Sequence, residues 1–299
     1  MPIRGTTRLL GILGTPLAHS YSPAMHNSGI AALGLDLAYL PLSADAAHLK
    51  TLLESLKAVN FLGVNVTLPH KQAVLPLLDE LSEVSRKMGA VNTIVNRDGT
   101  LYGTTTDPEG FLNGFKDAGH SFADKSVVIV GNGGTARTIA FALSLQSGSS
   151  STPRRVALAA RDLVKSGSLA LEIAAKTGRE IELFALEDYP ARAREFDVVV
   201  NTTPLGMSPN VDVSPLPADA LHAGQIVYDV IYNPEETALM RHARARGCAV
   251  VGGLGMLVHQ GLASFKLWTG LEPDPATYYA GIRAQQAAQA AAAVPGKIS

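Results

Sequence analysis

A regular series of short apolar runs in the second half of the chain limits its possible folds most strongly. From Ser126 onward, runs of strand length alternate with helical or loop segments: Val127–Val130, Arg155–Ala159, Ile181–Leu186, Val198–Val200, Ile226–Val230 and Ala249–Val251. Runs rich in valine and isoleucine are typical of buried parallel strands, which need a long connection, usually a helix, between them. The series therefore predicts a doubly wound α/β sheet. Ser147–Pro153, rich in serine, is predicted to be a surface loop.

The first third of the chain also alternates strand-like and helix-like segments. The strand candidates are Leu9–Leu13, Ala38–Leu42 and Phe61–Thr67. Ser22, followed by a proline, predicts a helix capped by the serine, and Gly34 is placed to end it. This half is therefore predicted to be a second, mixed α/β domain.

One dipeptide predicts an antiparallel element in this half. Asp98-Gly99 lies between the strand candidates Asn92–Asn96 and Thr100–Thr105, and Asp-Gly is a strong signal for a two-residue hairpin turn. We expect a mainly parallel sheet with one antiparallel edge. The domain boundary is predicted near Asp107, with the last helices of the chain returning to the first domain.

Composition excludes several classes of function. A chain of 299 residues with 46% hydrophobic and 17% charged residues is typical of a globular protein of two domains. Its formal net charge of −1 offers no electrostatic surface for nucleic acid or an anionic membrane. The single cysteine, Cys248, excludes an intrachain disulfide and a cysteine-cluster metal site. With no signal-peptide pattern and no run of 18 apolar residues, we expect a cytoplasmic protein without metal, nucleic-acid or membrane partners.

The first apolar run of the series leads into a glycine-rich turn that predicts dinucleotide binding. Directly after Val127–Val130 come Gly131, Asn132, Gly133, Gly134, Thr135 and Ala136. They fit G-x-G-x-x-A between a strand and a helix, with Ala136 in the helix-packing position. Bare backbone at Gly131 and Gly133 lets a pyrophosphate approach the N–H groups of a helix start.

The end of the next strand predicts which dinucleotide is bound. Ala160 occupies the strand tip, where a carboxylate would bind the ribose 2′-hydroxyl of NAD. Arg161 could hold the 2′-phosphate of NADP, whereas Asp162 could weaken phosphate binding or bind the hydroxyl. NADP is the predicted cofactor and NAD stays possible. The alternative is that Arg161 and Asp162 form a surface ion pair.

A lysine follows the strand candidate Phe61–Thr67. Pro69 ends the strand, and Asn65 and Thr67 lie on one of its faces. By its type and position alone, Lys71 is interpreted as a solvated loop residue.

Several segments, in this order along the chain, resemble the shikimate dehydrogenases and their quinate/shikimate relatives. Besides the glycine turn they are Gly14–Pro23, Asn65–Lys71, Gly89–Thr93, Thr106-Asp107, Asn201–Met207 and Gly253–Gln260. The resemblance implies the NADP-dependent, reversible reduction of 3-dehydroshikimate to shikimate. It implies a substrate-binding and catalytic domain at residues 1–107, completed by helices in 256–299, and a Rossmann-type NAD(P)-binding domain at 108–255. A monomer or homodimer with a small-molecule substrate is expected.

The resemblance also implies a role for individual residues. Lys71 and Asp107 match the catalytic pair, and which of the two is the base stays open. Substrate-binding positions are Ser20 and Ser22 for the carboxylate, with Asn65, Thr67, Asn92, Asp107, Gln260 and Tyr232 around the ring. The nicotinamide side of the cofactor site is Asn201, Thr202, Gly253 and Met256.

Three residues depart from the family pattern: Thr15, Thr105 and Pro108. They leave the catalytic pair intact but keep other substrates open. One alternative is a quinate or aminoshikimate dehydrogenase that uses NAD or either cofactor. An alternative of another class is a non-catalytic, nucleotide-sensing regulator that keeps the fold.

Overall fold

Two six-stranded sheets, each with its own helices, organise the chain into two units. The computed structural model describes residues 3–59, 61–146 and 151–293. The first unit holds the described residues up to Thr106 and those from Gln260 onward, and Asp107–His259 form the second unit. Residues 147–150 of the predicted surface loop, and residues 294–299 of the segment predicted to complete the first domain, lie outside the described residues.

The elements of the first unit follow the predicted strands closely. Its strands are β1 (Arg8–Gly14), β2 (Leu37–Ser43), β3 (Phe61–Val66), β4 (Glu80–Leu81), β5 (Thr93–Arg97) and β6 (Thr100–Thr104). Its helices are α1 (Ser22–Ala32), α2 (Leu49–Ala58), α3 (Glu83–Met88), most of α9 (Leu254–Thr269) and α10 (Pro275–Ala293). The first residues of α9, up to His259, belong to the second unit.

The antiparallel strand of the first sheet lies inside the sheet. The strand order is β2-β1-β3-β5-β6-β4, and only β5 runs against its neighbours. The hairpin turn is as predicted, with Asp98 at φ 51° and Gly99 at φ 90°. The predicted antiparallel edge is wrong, because the two-residue strand Glu80–Leu81 pairs parallel with β6 and covers it. A strand this short leaves no periodic pattern in the sequence.

The start of α1 differs from the prediction. Tyr21 occupies the N-cap position with helical dihedral angles, and Ser22 is already the first residue of the helix. The predicted capping role of Ser22 is therefore wrong, because a cap needs extended backbone at the serine itself. Its side chain is buried at 5% exposure. Gly34, at φ 64°, follows the end of the helix as predicted.

One face of the first sheet is covered by the C-terminal part of the chain. Phe265 and Trp268 of α9 pack against Leu10, Ile12 and Tyr39 of the sheet. The indole Nε1 of Trp268 donates to the carbonyl oxygen of Ile94 at 2.9 Å. The core of this unit is thus made from residues at both ends of the sequence.

The second unit confirms the predicted doubly wound sheet. Its strands are β7 (Ser126–Val130), β8 (Arg155–Ala160), β9 (Glu182–Ala185), β10 (Val198–Asn201), β11 (Ile226–Asp229) and β12 (Ala249–Val251). All pair in parallel in the order β12-β11-β10-β7-β8-β9. The helices are α4 (Asp107–Asp117), α5 (Gly134–Leu145), α6 (Leu163–Thr177), α7 (Tyr189–Arg192) and α8 (Ala238–Ala245). The strand order reverses between β7 and β10, the place where such sheets bind their ligands.

Candidate active site

The two predicted carboxylate-binding serines lie together in the first unit. The backbone N–H of Ser22 donates to the Ser20 hydroxyl at 3.3 Å. The Ser20 carbonyl accepts from the side chain of Gln285 in α10 at 3.2 Å, which anchors the loop before α1. Both serines can present hydroxyl groups to one anion without an arginine.

Asn65 and Thr67, two more residues predicted to bind the substrate, lie at the end of β3. Asn65 is 5% exposed and is paired with Thr93 across the sheet. Thr67 is partly exposed, and its backbone N–H donates to the Leu13 carbonyl of β1 at 2.9 Å. The methyl group of Thr67 fills the space that a side chain at Gly14 would need. Thr67 is therefore held beside the end of β1.

Lys71 lies in a turn that is fixed on both sides. His70 is fully buried, and its Nε2 is 2.7 Å from the Ala44 carbonyl oxygen. The backbone carbonyl of Lys71 accepts from the N–H of Val91 at 2.8 Å. The lysine is partly buried, so it is not the solvated loop residue that its type alone suggests.

The carboxamides of Asn65, Asn92 and Gln260 belong to one hydrogen-bonded cluster. The Nδ2 of Asn92 lies 3.3 Å from Oε1 of Gln260, and the Nδ2 of Asn65 lies 3.2 Å from the Asn92 carbonyl oxygen. Three hydroxyl residues that sequence reasoning missed complete the cluster: Thr93, Thr106 and Ser264. Ser264 follows Gln260 by one helical turn, which is the only sequence signal that could have found it.

Asp107 is the first residue of α4 and lies in the second unit, whereas the resemblance implies a first domain that includes it. Its exposure is 7%. The preceding residue, Thr106, donates its backbone N–H to Oδ1 of Asn92 at 2.8 Å. Pro108 is the second residue of α4. N–H groups in the first turn of a helix have no acceptor within the helix, so a proline there removes no helical hydrogen bond.

The glycine turn has the backbone geometry that the motif predicts. Gly131 has a φ of 111°, and a Cβ there would lie 2.8 Å from the Thr202 hydroxyl oxygen, so both conformation and space require glycine. Gly133 forms the N-cap of α5. A Cβ at Gly133 or Gly134 would meet none of the described residues within 4 Å, and both glycines are exposed. Thr135 is also exposed, whereas Ala136 is buried. The start of α5 is thus open to a phosphate group.

Arg161 and Asp162, predicted to bind the 2′-phosphate or 2′-hydroxyl of the cofactor's ribose, lie at the start of α6. The carboxylate of Asp162 accepts from the backbone N–H of Lys165 at 3.0 Å and so caps α6. Asn132 Nδ2 donates to the Asp162 carbonyl oxygen at 3.0 Å, which ties the glycine turn to this helix. Arg161 is exposed. Within the described residues no ion pair joins Arg161 to Asp162.

The residues predicted on the nicotinamide side lie at or after the carboxyl ends of β10 and β12, and Tyr232, predicted to bind the substrate, follows β11. The Thr202 hydroxyl donates to the Val130 carbonyl at 2.6 Å, and Gly253 packs against the carbonyl oxygens that follow β11. Met256 and Tyr232 are partly exposed. Asn201 is fully buried.

A buried aspartate, which sequence reasoning missed, connects these strand ends. Asp229 Oδ1 accepts from the Asn201 side chain at 3.0 Å and from the Ile231 N–H at 3.1 Å, and Oδ2 accepts from Thr237 at 2.7 Å. Burial raises the pKa of Asp229 to about 6, although these hydrogen bonds act to lower it.

Two kinds of feature are absent from the described residues. No group of three histidine, cysteine or acidic side chains there is arranged to hold a metal ion. No helix in that part of the chain is long and apolar enough to cross a membrane.

Comparison with known families matches both ends of the chain. Residues 12–94 match a family described as "Shikimate dehydrogenase substrate binding domain". Residues 253–277 match "Shikimate 5'-dehydrogenase C-terminal domain".

Individual relatives extend the similarity to nearly the whole chain. "Shikimate dehydrogenase (NADP(+))" of Moorella thermoacetica is 44% identical over 272 residues, which cover 90% of each chain. A shikimate dehydrogenase solved in complex with NADP+ superposes with a TM-score of 0.88 at 34% identity, covering 95% of this chain and 97% of the other. Quinate dehydrogenase from Corynebacterium glutamicum, solved in complex with NAD, gives 0.85 at 35% identity, covering 93% and 99%.

Proposed function

The chain belongs to the shikimate dehydrogenase family, and we propose that it catalyses the NADP-dependent, reversible reduction of 3-dehydroshikimate to shikimate. The observation that carries the proposal is the match to relatives named "Shikimate dehydrogenase (NADP(+))" over about nine-tenths of the chain. A carboxamide cluster in the first unit and an open glycine turn in the second support it.

We propose that Lys71 and Asp107 handle the proton of the reacting hydroxyl. Oxidation of a secondary alcohol requires removal of that proton, and reduction of the ketone requires its return. The Lys71 amine serves as proton acceptor in one direction and its ammonium as donor in the other. Asp107 holds the same hydroxyl by accepting a hydrogen bond from it.

The substrate's other polar groups are proposed to bind to the first unit and to Tyr232. Ser20 and Ser22 donate to the carboxylate. The carboxamides of Asn65, Asn92 and Gln260, with the Thr67 hydroxyl, bind the ring hydroxyls. Neutral donors and acceptors suit these groups, because the ring hydroxyls carry no charge.

The residues of the second unit fit the proposed cofactor. NADP supplies hydride exchange at C4 of its nicotinamide ring when it is bound. The backbone from Gly131 to Ala136, with the exposed start of α5, would hold the pyrophosphate, and Arg161 would hold the 2′-phosphate. Thr202, Gly253 and Met256 would line the nicotinamide side.

A quinate dehydrogenase that uses NAD is the second candidate. The similarity to the Corynebacterium glutamicum enzyme favours it, as does Asp162, whose carboxylate lies next to Arg161 in the chain. A carboxylate near the 2′-phosphate would weaken NADP binding.

Initial rates with shikimate and quinate, each with NAD and NADP, test both candidates. We expect shikimate with NADP to give the highest kcat/KM of the four combinations. Dominance of quinate with NAD would replace the first proposal by the second. Absence of turnover in all four would favour the non-catalytic regulator.

We further propose a cytoplasmic enzyme that is a monomer or homodimer. The single buried cysteine and the absence of any need for a disulfide support a reducing compartment. Cell fractionation and sedimentation of the purified protein test the two statements separately.

A further inference from the structure

The hydroxyl group of Tyr39 lies inside the first unit next to residues proposed to bind the substrate. Tyr39 is 1% exposed, and its hydroxyl is 2.7 Å from Oδ1 of Asn65. The Ser22 side chain is near enough to act on the pKa of the same hydroxyl, which it lowers while burial raises it. One buried phenol therefore connects a proposed carboxylate-binding residue to a proposed ring-binding residue.

The Tyr39 side chain is held in place from two directions. It lies in β2, an edge strand, and the carboxamide of Asn27 in α1 pairs with both its backbone N–H and its carbonyl, each at 2.9 Å. Its ring stacks on His26 at a centroid distance of 4.3 Å. Little freedom is left to the hydroxyl at the end of a ring fixed in this way.

A backbone carbonyl shows which end of the Asn65 carboxamide is the nitrogen and which is the oxygen. The Asn92 carbonyl oxygen can only accept, so the Asn65 atom at 3.2 Å from it must be the donor Nδ2. The oxygen Oδ1 then faces Tyr39, and the Tyr39 hydroxyl must donate to it. Burial raises the pKa of Tyr39 well above its ordinary value, so the hydroxyl keeps its proton at any working pH.

The same reasoning sets the direction of the next two carboxamides. The backbone N–H of Thr106 can only donate, so the atom of Asn92 at 2.8 Å from it is Oδ1. The Nδ2 of Asn92 then donates to Gln260 Oε1.

Ser264 connects the two ends of this chain of carboxamides. Its hydroxyl accepts from Asn65 Nδ2 at 3.0 Å and lies 2.9 Å from the Gln260 carbonyl oxygen, to which it donates. Ser264 is fully buried and belongs to the first unit. It therefore acts on the ligand through the Asn65 carboxamide, to which it is hydrogen-bonded.

We propose that Tyr39 and Ser264 are positioning residues of the substrate site, which hold the Asn65 carboxamide in one orientation before the substrate arrives. The proposal rests on the proposed function, since it assumes that Asn65 binds a ring hydroxyl. If the carboxamide rotates by half a turn, it presents its NH₂ group where its oxygen was. The ring hydroxyl then meets a donor instead of the acceptor that it needs.

Removing either hydroxyl tests the proposal. Tyr39→Phe and Ser264→Ala should each raise the KM for shikimate about tenfold, the size expected when one buried hydrogen bond is lost. The KM for NADP should stay at the wild-type value, because the glycine turn lies in the other unit. A general loss of structure would not raise the KM for shikimate while leaving the KM for NADP unchanged, so the pair of values identifies a local effect.

The chain offers a matched control for each variant. Tyr278→Phe removes an equally buried phenol of the same aromatic cluster, whose hydroxyl is bonded to His26 and not to Asn65. Ser85→Ala removes a buried hydroxyl that has no hydrogen-bond partner among the described residues. Both controls should keep the KM for shikimate at the wild-type value. Tyr278→Phe loses one buried hydrogen bond, as Tyr39→Phe does, so these two variants should lower Tm by similar amounts. Ser85→Ala leaves no partner unpaired and should change Tm little.

The possible outcomes separate the two proposals. An unchanged KM for shikimate in both Tyr39→Phe and Ser264→Ala overturns the positioning role, as does an equal rise in the controls. If Tyr39→Phe does not fold, Ser264→Ala decides alone. Wild-type protein that turns over no shikimate overturns the proposed function, and the positioning proposal with it.

Discussion

The two units prepare their proposed ligand sites by opposite means. In the first unit, side chains carry the chemistry, and the carboxamides of Asn65 and Asn92 are oriented by buried hydroxyls and backbone groups. In the second unit, bare backbone at Gly131 and Gly133 leaves an exposed helix start. Recognition of a small polyhydroxylated ring needs donors and acceptors of fixed direction, whereas a pyrophosphate needs only unobstructed N–H groups.

The largest effect is expected from a substitution that tests whether Lys71, in the first unit, transfers the proton of the reacting hydroxyl. Lys71→Ala should lower kcat by about 10²- to 10⁴-fold, the range for loss of a general acid–base, with little change in the KM for shikimate. Steady-state kinetics in both directions measure it. Lys50→Ala, which removes an exposed lysine of α2, is the control. Near-normal turnover of Lys71→Ala would move the proton-transfer role away from this unit.

The next effect concerns the buried carboxylate that connects strand ends in the second unit. Because burial raises the pKa of Asp229 to about 6 from 3.8, the folded protein binds more protons than the unfolded chain between these values. The free energy of unfolding therefore falls as pH rises through this window, by about 3 kcal/mol. In Asp229→Asn this contribution is absent.

Chemical denaturation of wild type and Asp229→Asn across this pH window measures the difference. The stability of the wild type relative to the variant should decline as pH rises to about 6 and then stay constant. Asp188→Asn, at an exposed position of the same unit, should show no such trend. A constant difference between wild type and Asp229→Asn at all pH values would contradict the prediction.

A substitution in the glycine turn separates binding from folding. Gly133→Ala places a methyl group in open space at φ −83°, a dihedral angle that any residue adopts. The KM for NADP should rise roughly 10- to 100-fold, because the methyl group obstructs the approach to charged phosphate oxygens. The free energy of unfolding should fall by about 1 kcal/mol or less, since alanine is a poorer N-cap than glycine.

Gly167→Ala is the matched control for that substitution. It adds a methyl group inside α6, where, apart from the helix's own backbone, the one described atom within 4 Å is Leu183 Cδ1 at 3.9 Å. Stability should increase by about 1 kcal/mol, with the KM for NADP unchanged. If Gly133→Ala also leaves this KM unchanged, the backbone of the turn does not meet the cofactor.

The smallest kinetic effect tests cofactor choice. Arg161→Gln should lower the preference for NADP over NAD about tenfold, through loss of a charge-assisted contact with the 2′-phosphate. The ratio of kcat/KM for the two cofactors measures it, with Arg194→Gln, at another exposed arginine, as the control. An unchanged ratio would assign the discrimination to other residues.

What the sequence predicted correctly depends on neighbours in the chain. The strands of the second unit are short apolar runs, several of them rich in valine and isoleucine, and Gly131 stands where φ is positive, so local pattern was sufficient. The Asp98-Gly99 hairpin was likewise predictable from two residues. The roles assigned to the site residues stay predictions.

What it missed depends on residues that are distant in sequence. Asn65 meets Ser264, 199 positions away, and Tyr39, 26 positions away. Ser22 does not cap α1, because its position is set by Tyr21 and by packing inside the unit. The residue type of Asp162 did not reveal that it caps α6, because that role depends on the exact residue at which the helix begins.

The core that joins Phe265 and Trp268 to β1 and β2 has a consequence for synthesis on the ribosome. The second unit is one uninterrupted stretch, Asp107–His259, and all of it has been made before Phe265 and Trp268 are added. Ile30 of α1 can pack on this face of the first sheet early, but the part that Phe265 and Trp268 cover stays exposed until those two side chains emerge. We therefore expect the unit that begins the chain to be the last to acquire its native packing.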